Sequence, residues 1–225
     1  MTRLLDVLLS GIALLVLSPL LLPLVVALKL TGEGEVFFIQ QRVGKGGGYF
    51  GLYKFATMLK NSPNIGTGTV TLKDDPRVLP LGRLLRKTKI NELPQLINIF
   101  LGDMSIIGPR PQTRRCFEAF PRDSQNEIIK VRPGLSGIGS IVFRGEEELM
   151  HDSGDPNNLY DKVIMPYKGL LEEWFVENQS LGVYLSCILL TMLAILFPSH
   201  PLIWKWLDGL PTPPEALADS LAWRP

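Results

Sequence analysis

The sequence predicts a mainly helical α+β protein anchored to a membrane, on three observations. An apolar run from Val7 to Leu28 is long enough to enter or cross a bilayer, a β-rich pair of segments flanks the glycines Gly44 to Gly48, and charged residues are threaded through apolar sequence between Arg77 and Pro111. The 225 residues suffice for one compact domain plus an anchor, and the net charge of +1 gives no global reason to bind nucleic acid. Cys116 sits in a charged stretch and Cys187 in an apolar one, which makes no disulfide framework; His151 and His200 are too few for a multi-histidine metal site. Chemistry therefore falls to carboxylates, lysine and arginine.

The 22 residues Val7 to Leu28 would span roughly 33 Å as a helix. Ser18-Pro19 near the middle, and Pro23 after it, each remove a backbone donor and predict a kink. The residues fit three arrangements: a span, a re-entrant helix that enters and leaves by one face, or a leader cleaved after Val25-Val26-Ala27. Val36 to Val43 and Tyr49 to Phe55 predict a β-hairpin. The glycine cluster is its turn, since it lacks the Lys-Ser/Thr ending of a phosphate-binding loop. Asn61 to Pro76 has the composition of a mobile, lid-like loop. Arg77 to Thr88 predicts a basic helix with Arg83, Arg86 and Lys87 on one face, suited to lipid headgroups or substrate phosphates.

Next comes Asn91 to Phe100, then Gly102 to Pro111, where Pro109-Arg110-Pro111 holds a guanidinium on stiff backbone, as phosphate recognition requires. Arg132-Pro133-Gly134-Leu135-Ser136-Gly137 predicts a turn with Gly134 or Gly137 at positive φ and Arg132 available to a nucleotide phosphate. Gly145 to Asp161 is acidic and loop-like, and Tyr167 to Gln179 predicts an amphipathic helix. Leu181 to Phe197, 17 residues without charge, is a span, an interfacial helix or a core helix; Trp204 and Trp206 after it suit the headgroup level and favour membrane contact. The proline-rich residues 209–225 predict an extended, poorly packed tail.

From Ser18-Pro19 through Val36-Phe37-Phe38, Gln41-Arg42, Lys54-Phe55, Leu85-Arg86-Lys87-Thr88, Glu92-Leu93-Pro94-Gln95, Gly102-Asp103-Met104-Ser105, Gly108-Pro109-Arg110-Pro111 and Arg132 to Gly137, the sequence resembles the bacterial sugar transferases, the small monotopic phosphoglycosyl transferases. The resemblance implies a monotopic protein of the cytoplasmic membrane face: a re-entrant helix over residues 1–29 broken at Ser18-Pro19, a catalytic domain over 30–180, a membrane-associated helix over 181–208 and a tail over 209–225. It implies transfer of a sugar phosphate from a UDP-sugar to polyprenyl phosphate with release of UMP, and Mg²⁺ held partly by Glu92. Lys54, Arg86, Arg110 and Arg132 would bind phosphate. Membrane lipids, downstream glycosyltransferases and a second copy in a homodimer are the expected partners, and nucleic acid is not. The chain departs from the family at one place that matters: the Asp-Glu pair reads Asn91-Glu92, and a neutral amide is no carboxylate nucleophile. Four routes stay open: Glu92 as nucleophile, Asp103 reaching in, direct attack by the lipid phosphate, or a non-catalytic scaffold.

Overall fold

A computed structural model of the chain describes residues 2–64, 75–151, 155–197 and 202–223. Most of the expected lid-like loop, residues 65–74, and the extreme tail lie outside these. The described chain is mainly helical and forms two compact units, Asp6–Gln41 with Gly51–Gly102, and Met1–Leu5 with Arg42–Phe50 and Asp103–Pro225.

The first of these units is built on α1 (Thr2–Leu30), a 29-residue helix long and apolar enough to cross a membrane. α1 is helical through Ser18, Pro19 and Pro23. Pro19 withholds the N–H that would reach the Leu15 carbonyl, and the Ser18 hydroxyl donates to that carbonyl at 2.7 Å instead. The helix buries little. Leu28 packs with Phe55 and Leu85, supported by Leu21, Leu24 and Val25, whereas Ile12, Leu15, Val16 and Leu22 are exposed. An exposed apolar surface of this extent is consistent with a membrane protein.

The hairpin forms as expected from β1 (Phe37–Val43) and β2 (Tyr49–Phe55). Its turn is a short 3-10 segment, Lys45–Gly47, in which Gly46 and Gly47 adopt positive φ. Three of the turn's N–H groups are committed: Gly44 to Gly48 O, Gly47 to Gly44 O, and Gly46 to Ile129 O. The plain-turn reading fits this bonding better than a phosphate cradle.

Pro80 opens α2 (Pro80–Lys87), where a missing N–H costs nothing. Gly82 presses against the backbone of Thr57, so closely that a Cβ would overlap the Thr57 carbonyl. Arg77 does not join the basic face; it is buried and bound to Asp75, which pins the end of the loop before α2. α3 (Gln95–Leu101) ends at Gly102 in the left-handed conformation, φ 106°.

In the other unit, β3 (Ser105–Ile107) and β4 (Gly134–Ser136) pair in parallel, Ser105 opposite Gly134 and Ile107 opposite Ser136. Neither Gly134 nor Gly137 has positive φ, contrary to expectation; Gly137 is extended. Their role is close approach, since a Cβ on either would overlap the backbone of Gly108. Between the strands lie α4 (Arg114–Glu118), capped by the Thr113 hydroxyl, and α5 (Arg122–Ile128). After them come α6 (Ile138–Val142), α7 (Glu146–His151), α8 (Pro156–Leu159), a π-helical turn Tyr160–Ile164 and α9 (Met165–Glu177). The acidic stretch read as loop thus contributes two short helices, because Leu149 and Leu159 give it apolar positions that pack on the core.

The second apolar run forms α10 (Leu181–Leu196). Tyr184, Cys187 and Leu190 face the core with Ile138, Tyr167 and Leu171, while Leu185, Met192, Ile195 and Leu196 are exposed. α11 (Leu202–Trp206) and α12 (Glu215–Ala218) follow. The tail is packed, not loose: Leu217 and Leu221 are buried in the same core, the Pro211 carbonyl accepts from the Tyr167 hydroxyl at 2.7 Å, and the Leu221 carbonyl accepts from the Trp204 indole at 3.1 Å. Proline-rich composition signalled extension; two leucines and these acceptors outweigh it.

Candidate active site

Lys54, Arg86, Asn91 and Glu92 all belong to the first-described unit, and local backbone structure explains their grouping. At the end of α2 the Thr88 N–H and hydroxyl both bond the Leu84 carbonyl, at 3.0 and 2.8 Å. Lys89 then turns left-handed at φ 59°, a conformation that costs a side-chain-bearing residue roughly 1 kcal/mol or more. This reversal starts a 3-10 turn, Ile90–Glu92, closed by Glu92 N–H to Lys89 O at 3.0 Å and Leu93 N–H to Ile90 O at 3.1 Å. The Asn91-Glu92 pair is therefore held on a tight turn between two helices.

From that turn the Glu92 carboxylate accepts from the Lys54 ammonium of β2 at 3.1 Å, with the two side chains 25% and 19% exposed. Asn91 beside it is buried, and its Oδ1 has no hydrogen-bond partner. A buried acceptor left unsatisfied is costly unless a ligand supplies a donor or a cation. Arg86 is half-buried on α2, and its described hydrogen bond goes to the Met58 thioether at 3.7 Å, a weak acceptor. The result is a lysine–carboxylate pair, an orphaned amide oxygen and a lightly engaged guanidinium on neighbouring segments.

Asp103, Arg110 and Arg132 belong to the other unit. Sheet pairing brings their two motifs together: Ser105 N–H bonds Pro133 O at 2.9 Å, Gly108 N–H bonds Ser136 O at 2.9 Å, and Gly134 N–H bonds Pro109 O at 2.8 Å. Asp103 and Arg110 are exposed and Arg132 half-buried. Two remote arginine motifs thus share one small parallel sheet, a pairing that no local pattern announces.

Sequence reasoning missed three polar groups. Asn98 on α3 is fully buried, its Oδ1 accepting from Tyr53 N–H at 2.9 Å and its Nδ2 donating to Gly51 O at 2.8 Å. Arg77 and Asp75 form a bidentate buried pair at 2.9 and 2.6 Å, and Arg77 also donates to Ser62 O at 2.8 Å. Lys168 on α9, buried, reaches Glu146 at 2.7 Å and lies over the Phe143 ring, with Glu172 one turn further on. Burial pushes Glu172 up to about 7 against the pull of Lys168 and the Gly139 N–H, and pushes Lys168 down. The i, i+4 spacing of Lys168 and Glu172 was the available signal, hidden in a segment read as an amphipathic helix.

A mainly helical chain with a small hairpin and one long, exposed apolar helix is consistent with a membrane protein. The chain belongs to the bacterial sugar transferase family, whose model matches residues 1–198. It is 42% identical over 139 residues to the UDP-N-acetylgalactosamine-undecaprenyl-phosphate N-acetylgalactosaminephosphotransferase of Aeromonas hydrophila, a match covering 61% of this chain and 33% of that protein. It is 38% identical over 156 residues to the exopolysaccharide production protein ExoY of Sinorhizobium fredii, covering 63% of this chain and 68% of that one. It is 37% identical over 148 residues to the UDP-glucose:undecaprenyl-phosphate glucose-1-phosphate transferase of Escherichia coli K12, covering 64% and 32%. The chain thus spans about a third of the length of two of these relatives and about two thirds of ExoY.

Proposed function

We propose that this chain transfers a sugar 1-phosphate from a UDP-sugar to undecaprenyl phosphate and releases UMP, at the cytoplasmic face of a bacterial inner membrane, as the first membrane step of a glycan assembly. The observation that carries this reading is the Lys54–Glu92 pair at 3.1 Å beside the unpartnered Asn91 oxygen, in a chain whose relatives are named for such reactions.

In the reaction an oxygen of the lipid phosphate bonds to the β-phosphorus of the UDP-sugar. The bond from that phosphorus to the bridging oxygen breaks, and UMP leaves with the electron pair. Asn91 is neutral and does not attack; Glu92, already drawn to Lys54, is a poorer nucleophile than a free carboxylate, which favours direct attack by the lipid. Lys54 and Arg86 offset charge on the diphosphate and on the departing UMP. In this reading the exposed apolar face of α1 lies against lipid, in the same unit as Lys54 and Glu92, so that a greasy monophosphate and a soluble diphosphate can meet there.

Among the described residues no group of three or more His, Cys, Asp and Glu could hold a metal. The Glu92 carboxylate and the orphaned Asn91 oxygen nonetheless fit Mg²⁺, which takes one or two protein oxygens and completes its shell with water and substrate phosphates. Bound there, Mg²⁺ would offset the diphosphate charge.

The test is UMP release by protein in nanodiscs across a panel of UDP-sugars, with and without undecaprenyl phosphate. Release that requires the lipid is expected. Release without it would replace direct attack by a covalent Glu92 intermediate, and no release with any pair would leave a lipid-binding scaffold.

A further inference from the structure

We infer that Asn98 is a positioning residue that sets the distance between Lys54 and Glu92, an inference that builds on the function proposed above. Asn98 is fully buried on α3, the helix that begins three residues after Glu92. Its two amide ends meet β2 at alternate residues, Nδ2 donating to Gly51 O at 2.8 Å and Oδ1 accepting from Tyr53 N–H at 2.9 Å. In an extended strand the carbonyl of one residue and the N–H of the second residue after it point to the same edge. One side-chain amide therefore plays the part of a peptide group in a third strand, and locks β2 to α3 in a single register.

Lys54 is the next residue along β2 after Tyr53, and Glu92 stands at the other end of the same turn-and-helix unit. A sliding strand would carry Lys54 away from Glu92. The amide satisfies both edge groups, whereas a carboxylate at position 98 would face the Gly51 carbonyl acceptor to acceptor. Asn98 touches no substrate in this account; it acts through Lys54.

The experiment measures the rate at which an amine-acylating reagent labels Lys54 in the full-length protein, read by peptide mass spectrometry, in wild type, Asn98→Asp, Glu92→Gln and the double variant. Each single change should speed Lys54 labelling about threefold or more, the low end of couplings between contacting residues, while exposed Lys87 keeps its rate. The double variant should exceed neither single by much, because both act on one ion pair. Unchanged Lys54 labelling in folded Asn98→Asp, fully multiplicative effects in the double variant, or an equal rise at Lys87 would each overturn the assignment. Should Asn98→Asp fail to fold, Asn98→Gln, which keeps both amide functions on a longer stem, takes its place under the same criteria. UMP release is recorded in parallel: Asn98→Asp should lower turnover in the wild-type background and add nothing in Lys54→Met. Because labelling needs no turnover, a protein that releases no UMP refutes the proposed reaction while the Asn98 assignment is still decided.

Discussion

Glu172→Gln should remove a pH dependence of stability that the wild-type protein carries between about pH 4.5 and 8. The Glu172 side chain is 3% exposed, its Oε2 has no hydrogen-bond partner, and its folded-state pKa is raised from 4.5 to about 7, burial outweighing the attraction of Lys168 and the Gly139 N–H. A raised acid means that the folded protein holds its proton where the unfolded chain has lost it. Stability from this group is therefore full below about pH 4.5, declines as pH rises through the folded-state value near 7, and is gone above it. The gap amounts to about 3 kcal/mol at 1.36 kcal/mol per pH unit, which for a chain of this size is roughly 6–12 °C in melting temperature. Glutamine mimics the protonated acid, so the two proteins should melt alike near pH 5, and the variant should melt higher near pH 8. Lys168, which pairs with Glu146 at 2.7 Å, is pushed down by burial while Glu146 and Glu172 pull it back up, so the difference between the two proteins reports Glu172 together with its pull on Lys168. The assay is thermal unfolding in detergent across that pH range. Parallel curves for the two proteins, or a variant less stable at pH 8, would refute the reasoning.

Glu92→Gln should lower UMP release by about 100-fold or more without changing the melting temperature beyond ~2 °C, since the pair it breaks is partly exposed; near-normal turnover would remove Glu92 from the site. Asn91→Asp places a carboxylate on the 3-10 turn beside Glu92 and should give a burst of UMP and labelled protein from UDP-sugar alone; continued dependence on lipid would show that position 91 does not reach the β-phosphorus. Asp75→Ala removes the carboxylate that faces the Arg77 guanidinium and should lower the denaturant midpoint of unfolding. Asp75→Leu combined with Arg77→Leu should cost less than Asp75→Ala alone, and a larger loss would contradict a stranded charge as the cause.

The hairpin, its glycine turn, the basic helix and both apolar helices were legible because each rests on local pattern: alternation, positive-φ glycines, helical spacing. What composition could not show was pairing at a distance. The strands β3 and β4 have three residues each, too short for any periodic signal, and their pairing joins positions 105 and 134. Arg77 looked like one more cation on the basic helix until Asp75 claimed it two residues away. Residues 209–225 read as loose because proline dominates them, yet two leucines at helical spacing, Leu217 and Leu221, suffice to dock the segment. At the candidate site the residue types were readable, whereas the turn that aims them was not: nothing in Thr88-Lys89-Ile90 advertises a left-handed lysine.

The substitution at position 91 changes the electrostatics of the site as well as its list of nucleophiles. Adjacent carboxylates on a half-buried turn would repel each other and compete for Lys54, and one of them would be held partly protonated. With Asn91 the turn carries one negative charge, which Lys54 neutralises across 3.1 Å, while Arg86 keeps its positive charge against no more than a thioether among its described hydrogen-bond partners. The resting group is therefore net cationic, and a diphosphate gains more by binding there than it would beside two carboxylates. The same neutrality withholds the carboxylate that would capture the sugar phosphate. On the proposed reaction, tighter binding of the donor and loss of a covalent step would both follow from the amide at position 91, and direct transfer to the lipid would make use of both.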